Sequence, residues 1–127
     1  MAGTSRDTKA LVMEALRGAL PDVQVVSTVP YADGNPPGPL VLVIATGGQG
    51  QHQRVLSTGQ VTIDSFAPTT GQAMRLALRV DAEVNALVAS HSVPVTKVTG
   101  NAPAESPDPT ITAARATATY QITTRNI

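Results

Sequence analysis

The chain has 127 residues, nine acidic and nine basic side chains, no cysteine and no tryptophan. That length fits one domain, residues 1–127, and the missing cysteines exclude disulfides and thiol chemistry. Balanced charge argues against the broad positive field of a general nucleic-acid binder, and no apolar run approaches the ~20 residues of a membrane span, so no membrane partner is expected.

The N-terminal stretch lacks the form of a signal peptide, so synthesis in the cytoplasm is expected. Thr4, Ser5 or Asp7 can cap a first helix over residues 8–20. Leu11, Val12, Ala15, Leu16, Ala19 and Leu20 recur at three- and four-residue spacings and share one face. Pro21 ends the helix because it has no amide proton to donate.

Residues 23–29 alternate as a strand, with Val23, Val25, Ser27 and Val29 on one face. Four prolines and two glycines between Pro30 and Pro39 make a stiff loop. The run Leu40-Val-Leu-Val-Ile-Ala45 that follows is apolar throughout, the pattern of a strand covered on both faces, and is placed at the sheet centre.

Residues 46–51, Thr-Gly-Gly-Gln-Gly-Gln, follow that strand as the glycines of a phosphate-binding loop would. Such a loop needs a lysine to reach the phosphates, and the sequence holds none between Lys9 and Lys97. A loop at the sheet edge is the better reading. A strand starts within residues 54–56, is interrupted or bent at 57–59, and resumes over 60–66. Thr69 and Gln72 have capping-box spacing. They open a helix over residues 70–89 whose stripe is Ala73, Leu76, Ala77, Val80, Val84, Leu87 and Val88. Arg75, Arg79, Asp81 and Glu83 mark its wetter flank, with Arg79 and Glu83 paired four residues apart.

Residues 93–99 form a short strand that Pro94 confines to an edge or a strand start. A second proline-rich loop covers 100–109. Residues 113–125 form the last strand: Ala114, Ala116, Ala118, Tyr120 and Ile122 point one way, and Arg115, Thr117, Thr119, Gln121 and Thr123 the other. The fold class expected is α+β, with two main helices on a mixed or mostly antiparallel sheet of about four to five strands.

His52 and His91 have no second ligand at metal-binding spacing and read as solvated or helix-end residues. Asp64 has no carboxylate partner in sequence, and Ser90 and Ser92 beside His91 lack a nucleophile-elbow motif. No catalytic residue, cofactor or metal is expected. The arginines are dispersed and carry no interleaved aromatics for stacking on single strands.

The order of elements resembles the tail terminator (tail completion, or minor tail) protein of long, non-contractile-tailed bacteriophages. The resemblance runs over nearly the whole chain. It is carried by the helix ending Leu20-Pro21, by Val23-Gln-Val-Val-Ser-Thr-Val-Pro30 and by Pro39-Leu-Val-Leu-Val-Ile44. Further matches are Gln60-Val-Thr-Ile-Asp-Ser-Phe66, Thr70-Gly-Gln-Ala-Met-Arg-Leu-Ala77, Ser106-Pro-Asp-Pro109 and, most of all, Arg115-Ala-Thr-Ala-Thr-Tyr-Gln-Ile-Thr-Thr-Arg125. The resemblance implies a non-enzymatic ring, commonly a hexamer of identical subunits, at the head–tail junction of the virion. Its partners would be the tail tube protein and the head–tail connector protein, and genomic DNA would pass its channel without specific recognition. Loops are the expected contact regions, and residues 46–58 are long for that pattern. The candidate interface residues are Tyr31, Asp33, Asn35, Gln49, Gln51, Arg54, Glu105 and Asp108. The alternatives are another ring-forming connector or completion protein and, from a different class, a small hydrolase in which Asp64, His52 or His91 meets a second titratable group.

Overall fold

A computed structural model describes residues 7–28, 38–52, 55–90, 93–109 and 111–126, with residues 48–52 described by backbone alone. The first helix, α1 (Thr8–Ala19), begins where Asp7 accepts the Ala10 amide at 3.0 Å. Thr4 and Ser5 lie outside the described residues. The helix closes with the Leu20 amide on the Leu16 carbonyl at 2.8 Å, one residue before Pro21. Its buried face differs from expectation at both ends. Thr8 and Met13 are buried while Ala19 is exposed, because the helix rolls its Val12–Leu16 line onto the sheet.

Its N-terminus lies close against the sheet. A Cβ at Gly59 would come within 2.8 Å of Thr8 Cβ, so a side chain there would displace the first turn.

Strand β1 (Gln24–Val26) is far shorter than the expected 23–29; Ser27 and Thr28 are already exposed bends. It runs parallel to the start of β2 (Leu40–His52). Strand β3 (Leu56–Ala67) then returns antiparallel along the full length of β2. The expected loop over 46–58 is therefore a two-stranded extension, and the expected break at 57–59 is absent. Backbone pairing, which needs no side chain, overrides the low strand propensity of glycine here. Register shifts between Ala45 and Gly47 and between Gly47 and Gly50 absorb the misfit. Gly47 takes φ of 101°, a conformation in which a Cβ is strained.

Thr69 caps α2 (Thr70–Ala86) by accepting the Gln72 amide at 3.2 Å, and a 3-10 turn, Leu87–Ala89, follows. Ala73, Leu76, Ala77, Val80, Val84 and Leu87 are buried as the stripe requires, but Val88 is exposed because the tighter turn rotates it outward.

Strand β4 (Val95–Gly100) is an edge strand, and β5 (Ala104–Glu105) is a short strand inside the expected 100–109 loop. Both pair with the same side of β6 (Ala114–Arg125), at different heights.

The sheet order is β1-β2-β3-β6-β4, with β5 beside β6, so the chain folds as two helices on a six-stranded mixed sheet, an α+β fold. The extra strand beyond the expected four or five is β5. The centre is β3; β2 is one place from the edge, although Leu40, Val41, Leu42 and Val43 are buried on both its faces.

The helices occupy one face. α1 crosses β1 to β3, and α2 lies over β3 and β6. Val12, Leu16, Ile63, Val80, Val84 and Ile122 meet in the main core. Within it, the Tyr120 hydroxyl donates to Asp81 Oδ1 at 2.7 Å, which moves Asp81 from the expected wet flank into a structural role. Burial first, and this hydrogen bond second, push the Tyr120 phenol well above its ordinary value. Arg79 does not take Glu83 as its main partner. Its guanidinium holds both carboxylate oxygens of Asp22, at 3.1 and 3.2 Å, and so ties α2 to the turn before β1. The hydrogen bond from Arg79 keeps the Asp22 carboxyl below its usual range.

Candidate interaction surface

Each strand of the sheet alternates, so residues not under the helices make a second face. On β6 the helix-facing set, Ala116, Ala118, Tyr120 and Ile122, is buried. Thr117, Thr119, Gln121 and Thr123 point the other way, between Arg115 and Arg125 at the strand ends. Opposite them β3 presents Thr58, Gln60 and Thr62. This second face is mostly Thr and Gln between those ends, with Asp64 of β3 opposite Thr117 and Lys97 of β4 opposite Thr123 as its charged members.

The side chains here hold one another. Thr58 and Thr123 share a hydrogen bond between hydroxyls at 3.0 Å, as do Thr62 and Thr119. Gln60 Nε2 donates to Thr46 Oγ1 at 3.1 Å, the Thr46 hydroxyl donates to the Gln60 carbonyl at 3.3 Å, and Gln121 Nε2 donates to Gln60 Oε1 at 3.4 Å. Cross-strand pairs of this kind stiffen a sheet by a few tenths of a kcal/mol each, up to about 1. The face therefore offers preset hydroxyls and amides, with Asp64 already buried and Lys97 the exposed charge at its β4 side. A shallow hollow of about 340 Å³ opens beside it, lined by Leu56, Thr96, Lys97, Thr99 and Gln121 among others.

The other end of this face is apolar. Leu40, Leu42 and Phe66 are buried there under Val26 and Ile111. The segment after β5 is drawn over them by Arg115, whose Nε donates to the Ser106 carbonyl at 2.7 Å and whose Nη1 lies 3.9 Å from Asp108 Oδ2. Asp108, expected at an interface, helps hold this flap. Glu105 is exposed on β5. Tyr31, Asp33, Asn35 and Arg54 lie outside the described residues; Gln49 and Gln51 lie in β2, with their side chains outside the description. Of the candidates whose side chains are described, Glu105 and Asp108 come together, lining one hollow of about 300 Å³ with Arg115 and Ile111.

Asp64 is buried on β3, between Leu42 and Thr117, and neither of the two ion pairs found among the described residues includes it. His52 ends β2, and His91 and Ser92 lie outside the described residues. Among the described residues no group of three histidine, cysteine or acidic side chains could hold a metal ion. No described helix is long and apolar enough to cross a membrane. On the helix side, a groove of about 640 Å³ runs between α1 and the 3-10 turn, with Leu11, Leu87 and Val93 on its floor and Asp7 and Glu14 at its rim.

The polar face was visible in the alternation of β6, yet nothing in the sequence marked it as the uncovered side. A count of helices supplies that signal: two helices can cover one face of such a sheet, and the Thr and Gln positions fall on the other.

No known family model matches the chain, and no curated protein does. Among solved structures, one is similar over 92% of this chain and 96% of its own, at 19% identity and a TM-score of 0.39, a likeness too weak to speak of function.

Proposed function

We propose that the protein is a non-enzymatic structural subunit of a long, non-contractile phage tail. Six copies close into a ring that caps the finished tail tube and joins it to the head connector. The observation that supports this reading is the sheet with helices on one face and a charge-poor, internally hydrogen-bonded Thr/Gln face on the other. A ring subunit needs two different patches for its neighbours and further surface for the parts above and below it. A face rich in preset hydroxyls and amides suits such contacts. A channel lined by so neutral a chain would let DNA slide past with few phosphate contacts to hold it. On this reading the protein acts in the virion, at the head–tail junction, after synthesis in the host cytoplasm.

Native mass spectrometry of the purified chain, alone and with isolated tail tubes, tests the reading. The expected result is a closed oligomer, or a monomer that forms one at the tube end. A chain that stays monomeric and ignores tube ends at its highest soluble concentration would refute it. Binding to the connector without the tube would favour another connector protein of the same junction.

A further inference from the structure

The outward sides of the two helices carry matching lines of residues. On α2 the line opposite the buried stripe is Gly71, Arg75, Leu78 and Ala82; all four are exposed, and Leu78 keeps 52% of its surface in water. On α1 the line along the 640 Å³ groove is Gly18, Glu14, Leu11 and Asp7. Taken in opposite chain directions, both lines step by four, three and four residues. At about 1.5 Å of rise per residue they therefore have the same length.

From this match we infer that neighbouring subunits join through their helices, the outward side of α2 of one copy seated in the α1 groove of the next. The inference rests on the ring reading and names the joint within it. Each level of one line complements its counterpart. Gly71 meets Gly18, where neither helix has a side chain to hold the backbones apart. A Cβ at Gly18 would meet nothing within 4 Å, and one at Gly71 only the Arg75 side chain, at 3.7 Å. Arg75 meets Glu14; neither ion pair among the described residues includes either of them. Leu78 enters the groove over Leu11, with Leu87 and Val93 beside it. Ala82 meets Asp7, and so small a side chain leaves the Ala10 amide on the Asp7 carboxylate.

The charges set both the occupant and its direction. The groove's charged lining is acidic, Asp7 and Glu14, and the charge on the α2 line is the basic Arg75. Seated the other way round, α2 would bring Arg75 to Asp7, whose carboxylate is already engaged as the cap of α1. The antiparallel seat brings Arg75 to Glu14 and also lays the positive N-terminal end of α2 beside the C-terminal end of α1. Zero net charge sets no long-range repulsion against self-association. Because two different surfaces meet, the joint is head-to-tail and can repeat around a ring.

The chain has no cysteine, so Gly18→Cys with Gly71→Cys reports the contact directly, at two positions with room for a side chain. The double variant is assembled, checked by native mass spectrometry, oxidised and run on a denaturing gel. A ladder ending at the ring size is expected, with no ladder from either single variant. In parallel, Arg75→Glu and Glu14→Lys each set like charges against each other at every joint. Each alone should be monomeric, with its thermal unfolding unchanged. Mixed in equal amounts they should form the ring again, with equal numbers of the two variants, since every joint between unlike copies holds one acid and one base. A substitution that merely damaged its own helix would not be rescued by mixing. A ring that forms from each variant alone, a mixture that stays monomeric, or a ring that gives no ladder overturns the joint and leaves the ring reading standing. Rings that form from both variants but no longer bind tail tubes assign the groove to the tube protein, and the joint falls likewise. A wild-type chain that never oligomerises removes the ring reading and the joint together.

Discussion

Tyr120→Phe removes one hydroxyl and leaves the ring packing in place. The hydroxyl lies 2.7 Å from Asp81 Oδ1, inside a residue that is 2% exposed. A hydrogen bond to an ionised acceptor contributes about 1.5–3 kcal/mol net. Asp81 is half-buried, so water can take the vacated place, and the lower end, about 1.5 kcal/mol, is expected.

The pH dependence separates this bond from simple packing. The phenol is held above its ordinary value, so its contribution is fully present below the unfolded pKa of about 10. As pH rises past that point the unfolded chain ionises while the folded phenol stays protonated, and stability falls. The phenylalanine variant lacks that loss. Urea unfolding of both proteins, followed by circular dichroism from neutral to alkaline pH, should show a gap that narrows above about pH 10. Tyr31 is common to both proteins and cancels in the difference. A gap that is constant with pH, or no gap at neutral pH, would refute the reasoning.

Leu76→Ala should lower stability by about 2–5 kcal/mol in denaturant unfolding, because the side chain is buried between α2 and the sheet and leaves a cavity. Thr124→Val should raise it by about 1 kcal/mol, since the Thr124 hydroxyl is buried with no hydrogen-bond partner among the described residues; an unchanged melting point would point to a bound water there. Gly47→Val should cost about 1–3 kcal/mol through its φ of 101°, even though the site has open space for a side chain. Asp22→Asn should make the protein less stable than wild type at neutral pH. The difference should fade as pH falls below about 4, because a carboxyl held low by Arg79 contributes above its unfolded pKa and stops contributing once protonated.

The elements legible in the sequence are those whose signal is local. Thr69 and Gln72 placed the start of α2, and the Ala73-to-Leu87 stripe its inner face, because a cap and a period of 3.6 lie within one segment. The alternation of β6 likewise held from Ala116 to Ile122. Residues 46–52 could not be read as a strand, because the reason they pair is β3, itself fixed from the other side by β6. Asp22 and Arg79 are far apart in sequence, as are Asp81 and Tyr120, and no spacing rule connects them. The candidate surface was half legible. Its members were named by alternation, but which face the helices cover is a tertiary fact. Spacing also gave no sign that Asp108, expected at an interface, lies 3.9 Å from Arg115 at the flap over Phe66.

The strands also sort the remaining surface into two ends. At one, the β2–β3 extension reaches Leu56, beside Arg125 and Asn126, whose amide donates to the Val55 carbonyl at 2.8 Å. At the other, Ala67 meets Ala114, next to β5, the flap at residues 106–109 and the first turn of α2. The helix stripes are taken up by the core. What the proposed ring reading leaves for contacts is the two strand ends, the Thr/Gln face and the outward sides of the helices, where Leu78 and Val88 are exposed. The two ends differ in kind. One is a backbone-rich hairpin with glycines, which can adjust to a repeating tube surface; the other is stiffened by Pro103, Pro107 and Pro109 and by the Arg115 contacts, and loses little entropy on docking. On the proposed reading, a subunit that ends one symmetric structure and begins another has use for that asymmetry, and it arises here from where the chain places its glycines and its prolines.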